Sequence, residues 1–157
     1  PLSLFLQTVP IIALAPLLVI YFGFGSATIL SAAVIVSFFP IFAATLVGLQ
    51  QVQKQHVDLF NFLKISKLKK LFFLEIPSAM PTLLAGLKTS AGLSVIGVVS
   101  GEFVASGGLG SLIDSARLQQ RVDLVFAALI LLSLLGLTLM KSAEQLFKLL
   151  FFKYLVR

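Results

Sequence analysis

The chain has 157 residues, of which 59% are hydrophobic and 11% are charged, and its formal net charge is +6. A mean hydropathy of +1.08 excludes a soluble domain, because the outer shell of a soluble protein of this length has to be polar. The sequence contains no cysteine and one histidine, His56, which excludes thiolate metal sites and argues against a histidine-based metal centre or catalytic triad.

Four apolar stretches predict an all-α integral membrane protein. The first charged residue is Lys54, and the 53 residues before it can hold two spans of about 20 residues each. Pro10, Pro16 and Pro40 interrupt these spans, and a membrane protein tolerates such prolines where neighbouring helices cover the freed carbonyls. The predicted spans are residues 2–24, 28–49, 79–104 and 122–140.

The connections between the spans predict the topology. The 50–77 loop carries five Lys or Arg residues and the 141–157 tail carries four, against two in the glycine-rich 105–121 connection, which leads into a short polar helix. This bias places the loop and the C-terminus in the cytoplasm, and it explains the positive charge without a nucleic-acid partner. The chain begins Pro-Leu-Ser, without an initiator Met, and we take it to be the C-terminal part of a longer protein.

The 50–77 loop alternates apolar side chains with lysines at mostly helical spacing. One interpretation is an amphipathic helix on the membrane surface, with its lysines against anionic headgroups. The other is a docking element for a cytoplasmic partner, in which large side chains such as Phe60 and Phe62 act as anchors. Both interpretations use the same residues: Leu59, Phe60, Phe62, Leu63, Ile65, Leu68, Leu71 and Phe72.

Small residues recur along one face of the third predicted span. Such a stripe lets another helix approach closely, so one hypothesis is helix packing. The alternative is that part of it lines a translocation path, where hydroxyl groups would solvate a passing anion. The stripe consists of Gly86, Ser90, Ser94, Gly97 and Gly101.

Charged residues within or beside this span are candidates for function. Glu102 lies near the outer end of the span, where it is either interfacial and solvated or part of a gate. Lys88 is expected to extend its side chain toward the cytoplasmic interface. Asp114, Arg117, Arg121 and Asp123 are either ordinary surface charges or part of a docking surface on the outer side.

Seven short segments, none of them specific alone, occur in a recognisable order and spacing: Leu6–Pro10, Ala13–Leu17, Tyr21–Gly23, Phe39–Ile41, Ile76–Pro81, Leu84–Lys88 and Val104–Gly110. Through them the chain resembles the permease subunit of binding-protein-dependent ABC importers, in the branch that carries nitrate, alkanesulfonates, taurine and thiamine-pyrimidine precursors. The resemblance covers essentially the whole chain.

The resemblance implies the C-terminal four transmembrane helices of a type I ABC importer permease, multi-pass in the bacterial cytoplasmic (inner) membrane. The implied solute is small and anionic or heterocyclic. The implied partners are a cytoplasmic ABC ATPase, a second permease copy in a homodimer, and a periplasmic or lipid-anchored substrate-binding protein. The chain itself is then no enzyme and needs no cofactor or metal, and it lacks the GxxxxGK[ST] phosphate loop.

In that family the cytoplasmic loop carries an "EAA" motif, which forms two short coupling helices in a groove of the ATPase. Counting back from Pro77, the acidic residue of the motif falls on Asp58, its second Ala on Phe60 and its Gly on Lys64. Only the acid and the proline end are kept. Glycine allows the turn between the coupling helices at low steric cost, so with Lys64 there either the turn becomes continuous helix or the ATPase groove differs.

Two other function hypotheses remain open. The altered loop is compatible with a non-transporting membrane scaffold or a decayed permease with weakened ATPase coupling. A membrane enzyme has less support, because no convergent set of His, Asp and Ser residues is visible in the sequence.

Overall fold

The structure, a computed structural model, describes residues 10–155, and they form helices and turns without a β-strand. The helices in chain order are α1 (Ile11–Phe22), α2 (Ser26–Gln50), α3 (Lys54–Phe62), α4 (Lys67–Lys70), α5 (Ile76–Ala105), α6 (Gly108–Leu118) and α7 (Val122–Leu155). A π-helical turn, Leu71–Glu75, joins α4 to α5, so that Lys67–Ala105 is one continuous helix of 39 residues. The predicted all-α fold class is confirmed.

Three described helices are long and apolar enough to cross a membrane: Ser26–Gln50, Lys67–Ala105 and Val122–Phe151. They contain the second, third and fourth predicted spans. Helix α1 has 12 described residues, and the predicted first span also includes residues 1–9, which lie outside the described part. The count of four spans therefore stays a prediction, as do the predicted limits of each span.

A tight turn after α1 reverses the chain into α2. Gly23 and Gly25 have φ angles of 76° and 114°, a conformation that side chains with a Cβ rarely adopt. Thr28, in the first turn of α2, is fully buried and donates its hydroxyl to the carbonyl of Gly23. This hydrogen bond satisfies one of the carbonyls left free at the end of α1.

Helix α5 is central to the bundle. Helix α2 packs antiparallel along one side of it, from Gly48 beside Ala79 to Ile29 beside Gly101. Helix α7 packs antiparallel along another side, and α6 packs on both α5 and α7. We call the end of the bundle that carries α3 and α4 the loop end, and the end that carries α6 the opposite end.

Large apolar side chains cover much of the outer surface. Val34 on α2 is 61% exposed and Ile130 on α7 is 60% exposed. Many others along the same helices are similarly uncovered. A water-soluble monomer rarely shows continuous apolar surface of this extent, whereas lipid tails solvate it without cost. The exposed surface is therefore that of a membrane protein.

Candidate functional site

Helix α3 projects from the loop end of the bundle, and the structure describes all of its residues. None of its side chains is buried. Phe62 is 84% exposed, and Leu59 and Leu63 are more than half exposed, whereas Phe60 is only partly exposed. Phe60 is thus less accessible than Phe62, and the part of either side chain in docking stays a prediction. Asp58, the counterpart of the motif's acidic residue, is exposed on the same helix.

The conformation of the turn after α3 shows whether the helix continues through Lys64. Lys64 has φ +52°, the left-handed conformation that glycine adopts most readily. Its N–H donates to the carbonyl of Asn61 at 3.0 Å, and the N–H of Ile65 donates to that of Phe60 at 3.1 Å. These two hydrogen bonds form a Schellman motif, which ends a helix with a left-handed residue. The chain therefore turns at Lys64, as it would at glycine, and does not continue as helix.

Pro77 explains the widened turn between α4 and α5. It has no N–H to donate to the carbonyl four residues earlier, and its ring crowds that carbonyl. The backbone accommodates this with the π-helical turn Leu71–Glu75 instead of a break. Leu74, within the turn, is buried, and Lys70 forms an ion pair with Glu75 at 3.9 Å. Residues 67–75 thus continue into the membrane-spanning helix α5 without an interruption.

Most of the predicted small-residue stripe lies at the contact between α5 and α2. A Cβ on Gly86 would lie 3.0 Å from the carbonyl oxygen of Pro40, and one on Gly97 would lie 2.7 Å from the Cα of Ala33. A Cβ on Gly101 would similarly come within 2.8 Å of backbone on α2. These helices touch backbone to backbone, and any side chain on those glycines would force them apart.

The two serines of the stripe differ in their surroundings. Ser90 is buried in the same contact and donates its hydroxyl to the carbonyl of Ser37 on α2 at 2.5 Å. Ser94 is only half-buried, and its hydroxyl donates to the carbonyl of Ala91 on its own helix. Ser94 instead lines a cleft between α5 and α7. The involvement of these residues in a translocation path stays a prediction.

Glu102 caps helix α6. Its Oε2 accepts a hydrogen bond of 2.6 Å from the N–H of Gly110, the third residue of that helix. A Cβ on Gly108 would overlap the carboxylate, and one on Gly110 would lie 2.7 Å from the Cβ of Glu102. The glycines of the 106–110 segment thus leave the space that the carboxylate occupies. A negative charge at a helix N-terminus is stabilised by the helix dipole, which gives Glu102 a structural partner at the opposite end of the bundle.

Two clefts flank the contact between α5 and α7. The larger, of about 700 Å³, is lined mostly by apolar residues, together with Ser100 and Ser133. The smaller, of about 180 Å³, is lined by Ser94, Glu102 and apolar side chains. The linings of these two clefts, within the described part of the chain, contain no lysine or arginine.

The polar residues around α6 form local ion pairs. Arg117 pairs with Asp114 on the same helix at 2.7 Å, and Arg121 pairs with Asp123 at 2.8 Å. All four lie at the opposite end, and exposed pairs of this kind contribute little to stability. Their predicted part in docking a substrate-binding protein stays a prediction.

The sequence interpretation missed one charged residue. Glu144 on α7 lies 2.9 Å from the Nζ of Lys88 on α5 and 2.6 Å from the Nζ of Lys148. In the sequence, Glu144 is one acid in a basic tail. The available signal was its position three and four residues from two lysines, Lys141 and Lys148, which is the spacing of neighbours on a helix.

The sequence of the chain is similar to those of known transport-system proteins. The family model described as binding-protein-dependent transport system inner membrane component matches residues 1–150. A probable ABC transporter permease protein of Haemophilus influenzae is 37% identical over 93% of this chain and 60% of its own length.

Two further relatives have named solutes. The formylaminopyrimidine transport permease protein ThiX of Halalkalibacterium halodurans is 38% identical over 87% of this chain and 55% of its own length. The riboflavin transport system permease protein RibX of Chloroflexus aurantiacus is 35% identical over 92% of this chain and 54% of its own length. The chain thus spans 54–60% of the length of these three relatives.

Proposed function

Because the chain belongs to the family of binding-protein-dependent transport system inner membrane components, we propose that the full-length protein is the permease subunit of an ATP-driven importer. Chains of this kind are membrane permeases and not enzymes, and ATP is hydrolysed on a partner subunit. The proposed setting is the bacterial cytoplasmic membrane. The partners we propose are an ABC ATPase, a second permease copy that completes a homodimer, and a substrate-binding protein.

The observation that carries this proposal is the exposed surface of α3 and the turn that follows it. Phe62, Leu59 and Leu63 are large apolar side chains that the rest of the described chain leaves uncovered. Lys64 beside them holds the turn that the family forms with glycine. A docking anchor concentrates its energy in a few such side chains, and each costs about 2 kcal/mol or more on truncation.

The same turn bears on the scaffold or decayed-permease alternative. That hypothesis was motivated by the altered motif, in which Lys64 replaces a glycine. Since Lys64 adopts the left-handed conformation itself, the replacement gives no reason to expect a lost coupling element. We therefore favour a working permease.

We propose that the loop end faces the cytoplasm. The loop and the C-terminal part of α7 lie at the same end of the bundle, because α2, α5 and α7 run antiparallel in turn. In the sequence, residues 50–77 and 141–157 together carry nine Lys or Arg residues, against two in the 105–121 connection. The positive-inside bias then orients the whole bundle, with α6 toward the substrate-binding protein.

Of the two solute classes that the sequence suggests, we favour a small heterocyclic compound over an anion. ThiX and RibX are named for formylaminopyrimidine and riboflavin, and both of those solutes contain a pyrimidine ring. Among the described residues, the linings of the two clefts beside α5 contain no lysine or arginine to attract an anion, and the carboxylate of Glu102 at the smaller cleft would repel one. Apolar walls with a few hydroxyls suit a planar ring better.

The proposed function is tested by co-purification of the full-length protein with its ABC ATPase. We expect the wild type to retain the ATPase and Phe62→Ala to lose much of it while reaching normal membrane levels. Phe126→Ala is the matched control, because Phe126 is also an exposed phenylalanine, 62% uncovered, but lies at the opposite end. Failure of the wild type to retain any ATPase, or equal retention by both variants, would contradict the proposal.

A further inference from the structure

An ion pair joins the two helices that flank the clefts. The Nζ of Lys88 on α5 lies 2.9 Å from Oε2 of Glu144 on α7, and the other carboxylate oxygen, Oε1, accepts from Lys148 at 2.6 Å. The Lys88 side chain is 36% exposed and that of Glu144 is 26% exposed. Lys148 lies on the same helix as Glu144, so Lys88 alone makes this cluster a link between helices.

The link lies near the boundary of the membrane at the loop end. A hydrocarbon core of about 30 Å takes about 20 helical residues. Counted from Ala105 at the opposite end, a core of this thickness reaches Gly86, which lies two residues from Lys88 toward the loop end. An ion pair close to this boundary is less screened by water and salt than a surface pair.

The rest of the described contact between α5 and α7 includes apolar side chains packed against glycines. A Cβ on Gly92 would lie 3.2 Å from the sulfur of Met140, and one on Gly136 would lie 4.0 Å from Val95. Clefts border this contact on both sides. The contact with α2 is different, because there backbone meets backbone along the length of the helix. Helices α2 and α5 are therefore packed more closely than α5 and α7.

The ion pair lies on the helix that continues from the proposed coupling segment, residues 54–75, which comprises α3, α4 and the π-helical turn. Residues Lys67–Ala105 form one continuous helix, so a force applied at α3 and α4 reaches Lys88 through the helix itself. Helix α7 has no covalent connection to the coupling segment at the loop end within residues 10–155. Lys88 and Glu144 form an ion pair between α5 and α7.

We propose that Lys88 is a positioning residue that transmits movement of the coupling segment to α7 by holding Glu144. This inference rests on the proposed function. When the ATPase moves α3 and α4, the pair α2–α5 moves as a unit and draws the end of α7 with it, which changes the clefts between α5 and α7. Without the ion pair, α5 moves and α7 follows less, so ATP hydrolysis continues with less transport.

The test uses the full-length permease reconstituted with its ATPase and substrate-binding protein in lipid vesicles, where solute uptake and ATP hydrolysis are both measured. We expect Lys88→Met and Glu144→Gln to lower uptake per ATP hydrolysed by about fivefold or more, which is the usual size of a coupling between sites. Lys88→Arg should restore the ratio, because it keeps the charge and the reach. Lys148→Met is the matched control, because it removes the partner that does not link the helices.

Uptake per ATP that is unchanged in Lys88→Met, or lowered equally by Lys148→Met, overturns the proposal. If Lys88→Met accumulates poorly in the membrane, the reversed pair Lys88→Glu with Glu144→Lys decides. It should exceed both of its single variants in uptake per ATP, and a pair no better than the singles overturns the proposal. A wild type that retains no ATPase contradicts the proposed function instead, so the two failures are distinguishable.

Discussion

The turn at Lys64 allows a sharp test, because the same motif occurs at both ends of the bundle. Lys64 has φ +52° and Gln120 has φ +56°. Each ends a helix with the same pair of hydrogen bonds, which for Gln120 and Arg121 run to Arg117 and Ala116. A left-handed residue with a Cβ costs about 1 kcal/mol relative to glycine. Lys64→Gly and Gln120→Gly should therefore each stabilise their own turn by about 1 kcal/mol.

The expected stabilisation of each turn can be measured by amide hydrogen exchange. About 1 kcal/mol corresponds to a fivefold change in a local opening equilibrium, so amide hydrogen exchange in α3 should slow about fivefold in Lys64→Gly. The ATPase should co-purify with this variant at least as well as with the wild type. Gln120→Gly should slow exchange in α6 by a similar factor and leave ATPase association unchanged.

Lys64→Val should have the opposite effect, because a β-branched side chain tolerates the left-handed region poorly. Faster exchange in Lys64→Gly, or no difference between the glycine and valine variants, would refute the conformational argument. Loss of ATPase association in Lys64→Gly with slowed exchange would instead show that the lysine side chain itself contacts the partner.

The remaining predictions concern the helix seam, the cap and the topology. Gly97→Leu should reduce the amount of folded protein in membranes by more than the neighbouring variant Ile96→Ala does, because overpacking a tight contact costs about 1–3 kcal/mol or more. Normal assembly of the leucine variant would contradict the close contact between α2 and α5. Glu102→Ala should loosen α6 by about 1 kcal/mol, and Glu102→Gln by less because its amide oxygen can still accept from Gly110; hydrogen exchange in α6 measures both, and equal effects would refute the capping role. Cysteine at Gln53 should react with an impermeant reagent only after cells are opened, and labelling in intact cells would overturn the orientation.

The three long apolar helices could be predicted from sequence because lipid imposes a simple demand. A helix in hydrocarbon has to be apolar over about 20 residues, and this composition is visible without any knowledge of contacts. The same logic does not fix where the helices end. Helix α7 continues from Val122 to a kink at Phe151, beyond the predicted span limit of 140, because backbone hydrogen bonding can continue into a segment that contains charged residues.

The small-residue stripe shows what helical periodicity does not predict, namely which neighbouring helix each residue contacts. Viewed down the helix, Gly86, Ser90, Gly97 and Gly101 fall within about 60° of one another, whereas Ser94 lies at the edge of the stripe, about 80° from Gly86. Four residues therefore face α2 and Ser94 faces the cleft beside α7. The spacing predicted a face, but the neighbour that covers each part of it depends on the packing of the whole bundle.

The polar partners were the least predictable part. The pair between Lys88 and Glu144 joins residues 56 positions apart, and the contact of Glu102 with Gly110 depends on the break between α5 and α6. Neither partner can be chosen from sequence without knowing which helices are neighbours. Lys64 was unpredictable for a different reason, since a non-glycine residue in the left-handed region is uncommon.

The central claim is that α3 docks a cytoplasmic ATPase, and a photo-crosslinking side chain placed at Phe62 in the full-length protein tests it most directly. Phe62 is 84% exposed, so the substitution should leave the bundle undisturbed. In native membranes we expect a crosslinked product that contains the ABC ATPase, and none from the same probe placed at Phe126. Crosslinks from Phe62 to lipid alone would contradict the account and would favour an amphipathic helix on the membrane surface.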